Sequence, residues 1–221
     1  MSAPPKSMPS GPPLFDAEFQ TKLALLIAWR RDVRRFRTDA VPQALLDHLL
    51  DLVQLSPSVG NSQPWRIVAV TNPARRAAIR ANFARANAAA LQTYSDERAT
   101  LYARLKLAGL DHAPVHWAIF CDHATTQGEG LGRATMPDTL DASVSGMVAT
   151  LWLAARAAGL GLGWVSILDP DAATVTLEVP PSWKLIAYLC IGWPDEEHID
   201  PELVRHRWQS RTKAGRLVLE R

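Results

Sequence analysis

"WRRDVRRFRTDAVP", Trp29 to Pro42, places five arginines and one acid, Asp32, within the eight residues from Arg30 to Arg37. A lone carboxylate among guanidinium groups has three readings: a solvated basic face, a nucleic-acid patch, or an anion site that keeps one acid for chemistry. The formal net charge of the 221 residues is only +2. Positive charge is therefore local to this stretch, whereas nucleic-acid binders spread it over a wider face. No nucleic-acid motif accompanies it, and a non-enzymatic basic binding module is the least favoured reading.

Hydrophobic residues make up 48% and charged residues 21% of the chain, the balance of an ordinary globular protein with one sizeable core. Residues 1–13, "MSAPPKSMPSGPP", are rich in proline and serine, without an apolar run, and read as a disordered tail. Residues 14–221 show neither repeat nor linker and read as a single domain. Cys121 and Cys190 lie far apart in apolar surroundings, as buried free thiols of a reducing compartment do. The longest uncharged apolar stretch, Ala142 to Ala155, is too short to span a bilayer. The expectation is a cytoplasmic protein without membrane or nucleic-acid partners.

Phe15, Phe19, Leu23 and Ile27 recur every four residues, predicting an amphipathic helix from about Asp16 into the arginine cluster. Pro42 suits a helix first turn, and Leu45, Leu46, Leu49, Leu50 and Val53 mark a second helix face. "SPSVGNSQP", Ser56 to Pro64, is turn chemistry, and "WRIVAVT", Trp65 to Thr71, is a strand. Asn72 to Leu110 reads as helix with a break near Ser95. "VHWAIFC" after Pro114 is a second strand, and "TTQGEGLG", Thr125 to Gly132, a loop. Leu140, Val144, Met147, Val148, Leu151 and Ala155 form a stripe on a helix that is apolar on more than one side and expected to be buried. "GLGLGWVSIL" then opens a third strand, and Lys184 to Trp193 is a fourth. Helices interleaved with a few strands give an α+β layered domain.

"GLGLG" is not a dinucleotide loop, because it follows a helix and opens a strand, the reverse of that motif's context. It reads as a tight turn with close packing. His112, His116 and His123 lie near Cys121, but His116 and Cys121 point to opposite faces of their strand, so no metal is expected. Ser143 and Ser145 lack the sharp elbow of a nucleophilic serine and read as helix-packing hydroxyls. The tail "PELVRHRWQSRTK" carries Arg205, Arg207, Arg211 and Lys213. It reads as a solvated face, or as a second basic stretch that meets the first around one phosphate, a task suited to arginine's planar fork.

Three segments together, "RRDVRRF" after a helix, "SPSVGNSQPW" before a strand and "GLGLGWVSIL" after a buried helix, resemble the flavin-binding nitroreductase family. The likeness runs over roughly residues 14–221. The acid in Arg31-Asp32, where ordinary members have Arg-Ser, and "GWVSI" with Ser166 are similar to the branch that destroys its flavin. The resemblance implies a layered FMN-binding domain with a central, mostly antiparallel sheet flanked by helices, in an intertwined homodimer with FMN at the interface. It implies that Arg30, Arg31, Asp32, Val33 and Arg34 hold the phosphate and polar groups, with Arg211 of the tail on the phosphate. Pro57, Ser58, Gln63 and Leu107 would line the pocket. Trp164, Val165 and Ser166 would run beside the ring edge, where backbone N–H groups reach N5. The family often has glycine before the tail tryptophan, where this chain has Arg207.

That branch binds reduced FMN as a substrate, with O2 as co-substrate, and fragments it to 5,6-dimethylbenzimidazole, the lower ligand of cobalamin, and a tetrose phosphate. A separate flavin reductase is the candidate source of reduced FMN. Fragmentation needs a proton removed from the ribityl carbon on N10 or from a nearby nitrogen. Asp32 is the candidate general base and Ser166 the group that orients it or a ring atom. Arginines nearby lower the Asp32 pKa and an anionic ring raises it, which leaves its net direction open. The alternative is an NAD(P)H-dependent nitroreductase or flavin reductase that keeps FMN as a recycled cofactor.

Overall fold

The computed structural model describes residues 11–105, 107–212 and 218–221. Residues 1–10 of the expected tail and Lys213 lie outside them. The chain folds as α1 (Ala17–Trp29), α2 (Gln43–Val53), β1 (Trp65–Ala69), α3 (Pro73–Leu91), α4 (Asp96–Arg104), β2 (Val115–Asp122), α5 (Thr139–Ala157), β3 (Gly161–Val165), α6 (Pro170–Leu177), β4 (Trp183–Gly192) and α7 (Glu202–Arg205). The four strands form one sheet in the order β1-β2-β4-β3, every neighbouring pair antiparallel. The α+β architecture with a flanked antiparallel sheet is thus as expected.

Alternation along the strands splits the core in two. On one face, Trp117, Ile119 and Cys121 of β2 and Leu189 and Ile191 of β4 pack with Leu49, Val53, Val144 and Leu151 of α2 and α5. On the other, Ala118, Phe120, Tyr188 and Cys190 pack with Ile79, Ala173 and Leu177 of α3 and α6. Local chemistry sets the helix starts. Asp16 caps α1 by accepting from the Phe19 N–H at 2.7 Å, Asn72 caps α3, and Asp169 caps α6 just before Pro170 at its first turn.

Two expectations are corrected. The helical reading of Asn72–Leu110 overruns: α4 ends at Arg104, Leu105 turns extended, and Gly109 packs directly against the Phe36 ring, where an added Cβ would lie 2.3 Å away. In α5 only one face is buried; Ala142, Gly146 and Ala149 on the other remain exposed in the single chain. α1 buries none of its residues, and Phe15, Phe19, Leu23 and Ile27 stay exposed.

Candidate functional site

The arginine stretch leaves α1 in extended form and runs along β3, an edge of the sheet. Asp32 bridges Leu162 in parallel, and Phe36 bridges Pro194 in antiparallel fashion. The Val33 N–H donates to the Leu162 carbonyl at 3.0 Å, and the Arg37 N–H to the Trp193 carbonyl at 2.9 Å. "GLGLG" makes this approach possible. A Cβ at Gly163 would sit 2.1 Å from the Val33 carbonyl oxygen, and one at Gly161 would sit 2.8 Å from the Val33 side chain.

This seat fixes Asp32. One carboxylate oxygen accepts the Trp164 backbone N–H at 2.8 Å, and the other accepts Arg34 Nε at 2.9 Å. Of the backbone N–H groups along Trp164, Val165 and Ser166 expected to reach a flavin N5, that of Trp164 is taken by Asp32. Burial raises the Asp32 pKa, and Arg34 and the Trp164 N–H only partly offset it. The side chain keeps 30% of its surface accessible, which moderates the shift, yet burial outweighs Arg34. Ser166, just past the end of β3, is exposed. Among the described residues Asp32 takes its hydrogen bonds from Arg34 and Trp164, not from Ser166.

The arginines divide by partner. Arg35 pairs with Glu196 and Glu202, and Arg37 with Asp39. Among the described residues, Arg30 and Arg31 have no carboxylate at salt-bridge distance. Arg31 Nε donates to the Ile199 carbonyl at 2.7 Å and Nη1 to the Arg30 carbonyl at 2.6 Å. Its pKa is lowered by burial and by the positive neighbours Arg30 and Arg211, with Asp200 opposing. Arg211 of the second basic stretch is thus near enough to act on Arg31 electrostatically. Trp208 anchors that stretch: its ring lies under Arg98 at 4.0 Å and meets Tyr94 and Tyr102 edge-on. Arg207 takes φ 59° there, a left-handed conformation that glycine adopts at no steric cost. Cations without an ion-pair partner at contact distance, next to a held carboxylate, are a donor set suited to an anionic phosphate ligand.

The Ser56–Pro64 turn stands elsewhere. Ser58 Oγ accepts the Gln63 N–H at 3.0 Å, and Val59 N–H donates to Ser143 Oγ at 3.0 Å, fastening the turn to α5. Asn61 and Gln63 both adopt left-handed backbone, φ 54° and 41°, strain of the kind found at binding sites. The turn, with exposed Pro57, feeds β1, whereas Asp32, Trp164, Val165 and Ser166 lie at β3. These are opposite edges of the sheet, about 14 Å apart at the usual strand spacing. One chain does not bring the two groups together. Leu107 lines a cleft of about 360 Å³ beside Phe83 and Asn87 of α3, next to the segment that packs on Phe36.

His116 and Cys121 fall on opposite faces of β2, whereas His123 does come together with Cys121. Cys121, His123 and Asp141 converge, their ligand atoms within 4.8 Å of one another; Asp141, from α5, was not visible as a partner in the sequence. His123 Nε2 and Lys184 Nζ lie 2.7 and 2.5 Å from the two Asp141 oxygens, and burial pushes the Cys121 thiol up to about 12. Lys184 supplies positive charge beside Asp141, and the trio is joined by hydrogen bonds centred on Asp141.

His116 is a core residue. Its Nδ1 lies 3.0 Å from the Tyr188 hydroxyl, and burial lowers its pKa to about 4, with Arg76 and Arg80 adding to the effect. A depressed folded pKa gives stability that is full above the unfolded value near 6.5 and is lost as pH falls toward 4. We expect the stability difference between wild type and His116→Asn, which cannot titrate, to shrink by about 3 kcal/mol between pH 7 and pH 4. Urea unfolding at the two pH values measures it, and a pH-independent difference would refute the burial of a neutral imidazole.

Trp152 was missed by sequence reasoning, which placed it only on an apolar helix. Its Nε1–H donates to the Arg31 carbonyl at 3.1 Å, and the Arg30 guanidinium lies 4.8 Å over its ring.

The sequence pattern of the nitroreductase family matches residues 27–193. A 5,6-dimethylbenzimidazole synthase of Rhodospirillum rubrum is 57% identical over 199 residues, covering 90% of this chain and 94% of the relative. Another, from Rhodobacter capsulatus, is 47% identical over 195 residues, covering 88% and 94%. The solved structure of an iodotyrosine deiodinase bound to FMN and 3-iodo-L-tyrosine superposes with a TM-score of 0.70 at 21% identity, over 90% of this chain and 97% of that one. At that identity the likeness is one of fold.

Proposed function

The chain belongs to the nitroreductase family, and from that premise we propose that it catalyses the O2-dependent fragmentation of reduced FMN to 5,6-dimethylbenzimidazole, the lower ligand of cobalamin, with a tetrose phosphate as the other product. The observation that carries this reading is Asp32, held by the Trp164 N–H and Arg34 beside cations that lack carboxylate partners. The two dimethylbenzimidazole synthases that share about half of its residues support it. Reduced FMN, as substrate, supplies the electrons for O2 and the ring that becomes the benzimidazole.

The residues divide the work. Arg30 and Arg31, with Arg211, hold the phosphate dianion. Asp32 accepts the proton released from the ribityl carbon on N10 or a nearby nitrogen. Its raised pKa suits it, because a general base works best with a pKa near the operating pH. Ser166, exposed and two residues beyond Trp164, orients the substrate. Pro57, Ser58 and Gln63 come from a second copy of the chain, since in one copy they stand at the far sheet edge. The exposed apolar face of α1 supports such a homodimer. No helix among the described residues is long and apolar enough to cross a membrane. The two buried free cysteines support a cytoplasmic location.

The direct test mixes the protein with chemically reduced FMN in air and searches for dimethylbenzimidazole by mass spectrometry. FMN that is only reoxidised favours the flavin-reductase reading. The phosphate assignment has its own test. Arg30→Ala or Arg31→Ala should weaken FMN binding by about 10- to 100-fold, the value of a charged hydrogen bond, and flatten its salt dependence. Riboflavin, lacking the phosphate, should bind the wild type poorly; titration by flavin fluorescence reads both, and equal affinity for the two flavins refutes the assignment.

A further inference from the structure

We propose that Trp152 is a positioning residue for the phosphate-binding arginines, acting through Arg30 and the Arg31 backbone; the inference rests on the phosphate assignment above. Trp152 lies on α5, on a different element from every residue assigned to the site. Its indole meets the arginine segment twice: Nε1–H holds the Arg31 carbonyl at 3.1 Å, and the ring face carries the Arg30 guanidinium at 4.8 Å. Its ring centroid is also 6.3 Å from that of Trp164, the residue whose N–H holds Asp32. One side chain therefore touches the anion-binding pair and the residue that seats the acid.

The arginines need such a fixture. α1 ends at Trp29, and Arg30 is already extended, φ −66° and ψ 116°, so no helix fixes its side-chain direction. Arg31 is tied by its own Nε and Nη1 to the Ile199 and Arg30 carbonyls. Arg30 has no salt-bridge partner among the described residues, and the Trp152 face is what it rests on. An aromatic face attracts a guanidinium without neutralising it. A carboxylate in that place would hold Arg30 equally well but would repel a phosphate. Trp152 thus orders the cation and leaves its full charge for the ligand, lowering the ordering cost of binding.

Trp152→Leu removes both contacts, and Trp152→Phe keeps a ring but loses the Nε1–H. The affinities of FMN and riboflavin are measured for each, with inorganic phosphate as a competitor. Trp152→Leu is expected to lose about tenfold in FMN affinity, the scale of one half-buried cation–π contact together with a hydrogen bond, with riboflavin affinity unchanged and phosphate competition weakened. Trp152→Phe should show a smaller loss of the same selectivity, and it carries the test if the Leu variant does not fold. Equal losses for both flavins would mean that Trp152 is merely structural and overturn the proposal. Wild-type FMN preference retained in a folded Trp152→Leu would overturn it alone. A wild type that binds both flavins equally would overturn the phosphate assignment and this inference with it.

Discussion

Asp32→Asn is expected to bind reduced FMN at least as tightly as the wild type and to let O2 reoxidise it, yet to form little or no dimethylbenzimidazole. The amide matches the carboxylate in shape. One of its atoms can still accept the Trp164 N–H, now 2.8 Å from an Asp32 oxygen. It cannot take up a proton as a base. Losing a general base lowers rates by about 10²- to 10⁴-fold, ample for a product assay. Binding should not suffer, because a negative charge beside an anionic ligand disappears. Nor should the fold. Burial raises the Asp32 pKa, so the stability linked to its protonated form is present at low pH and lost as pH rises through the folded value. A neutral side chain avoids that loss, although the ion pair of Asp32 with Arg34 is given up. If Asp32 were only an ion-pair partner, the variant would lose stability or FMN affinity and keep normal product per bound flavin. That outcome would remove Asp32 from the chemistry.

Gly163→Ala is expected to destabilise the chain by about 3 kcal/mol or more, combining overpacking with lost hydrogen bonds. The added Cβ would lie 2.1 Å from the Val33 carbonyl oxygen, and a backbone atom cannot rotate away. Relief requires the arginine segment to lift from β3, breaking the Val33 N–H bond to Leu162 and the Trp164 N–H bond to Asp32. Product formation should fall with it, even in protein that remains folded. Gly161→Ala provides the contrast, since its clash is with the Val33 side chain at 2.8 Å. Val33→Ala should restore stability to Gly161→Ala and leave Gly163→Ala unrescued. Denaturant unfolding of the four variants decides this, and a Gly163→Ala protein of wild-type stability would contradict the seating of Asp32 against β3.

What could be read from the sequence was local. The four-residue recurrence of Phe15, Phe19, Leu23 and Ile27 marked α1, and Asp16 before it is its cap. The β-rich runs at Trp65, Val115 and Lys184 became strands within one or two residues. α6 was passed over although Asp169 and Pro170 carry the cap and first-turn signals, because the helix is only eight residues long and weakly patterned. The overrun past Arg104 has a tertiary cause: Gly109 is set against Phe36, a contact across more than seventy residues. The site shows the same limit. Arginine density and the odd acid were visible in "RRDVRR". That burial would prevail over Arg34 at Asp32, and that Trp164 would donate to it, depended on how closely glycines 161 and 163 let two segments approach. Trp152 gave no signal of its own, because its role comes from where α5 lies and not from any spacing.

The central claim is that the flavin is consumed, and a mass balance tests it most directly. A limiting amount of reduced FMN is added to excess protein in air, and dimethylbenzimidazole and surviving flavin are quantified from the same sample. The account predicts benzimidazole formed in step with flavin lost, and flavin recovered as FMN when Asp32→Asn replaces the wild type. Full recovery of FMN from the wild type, with no benzimidazole, would contradict it.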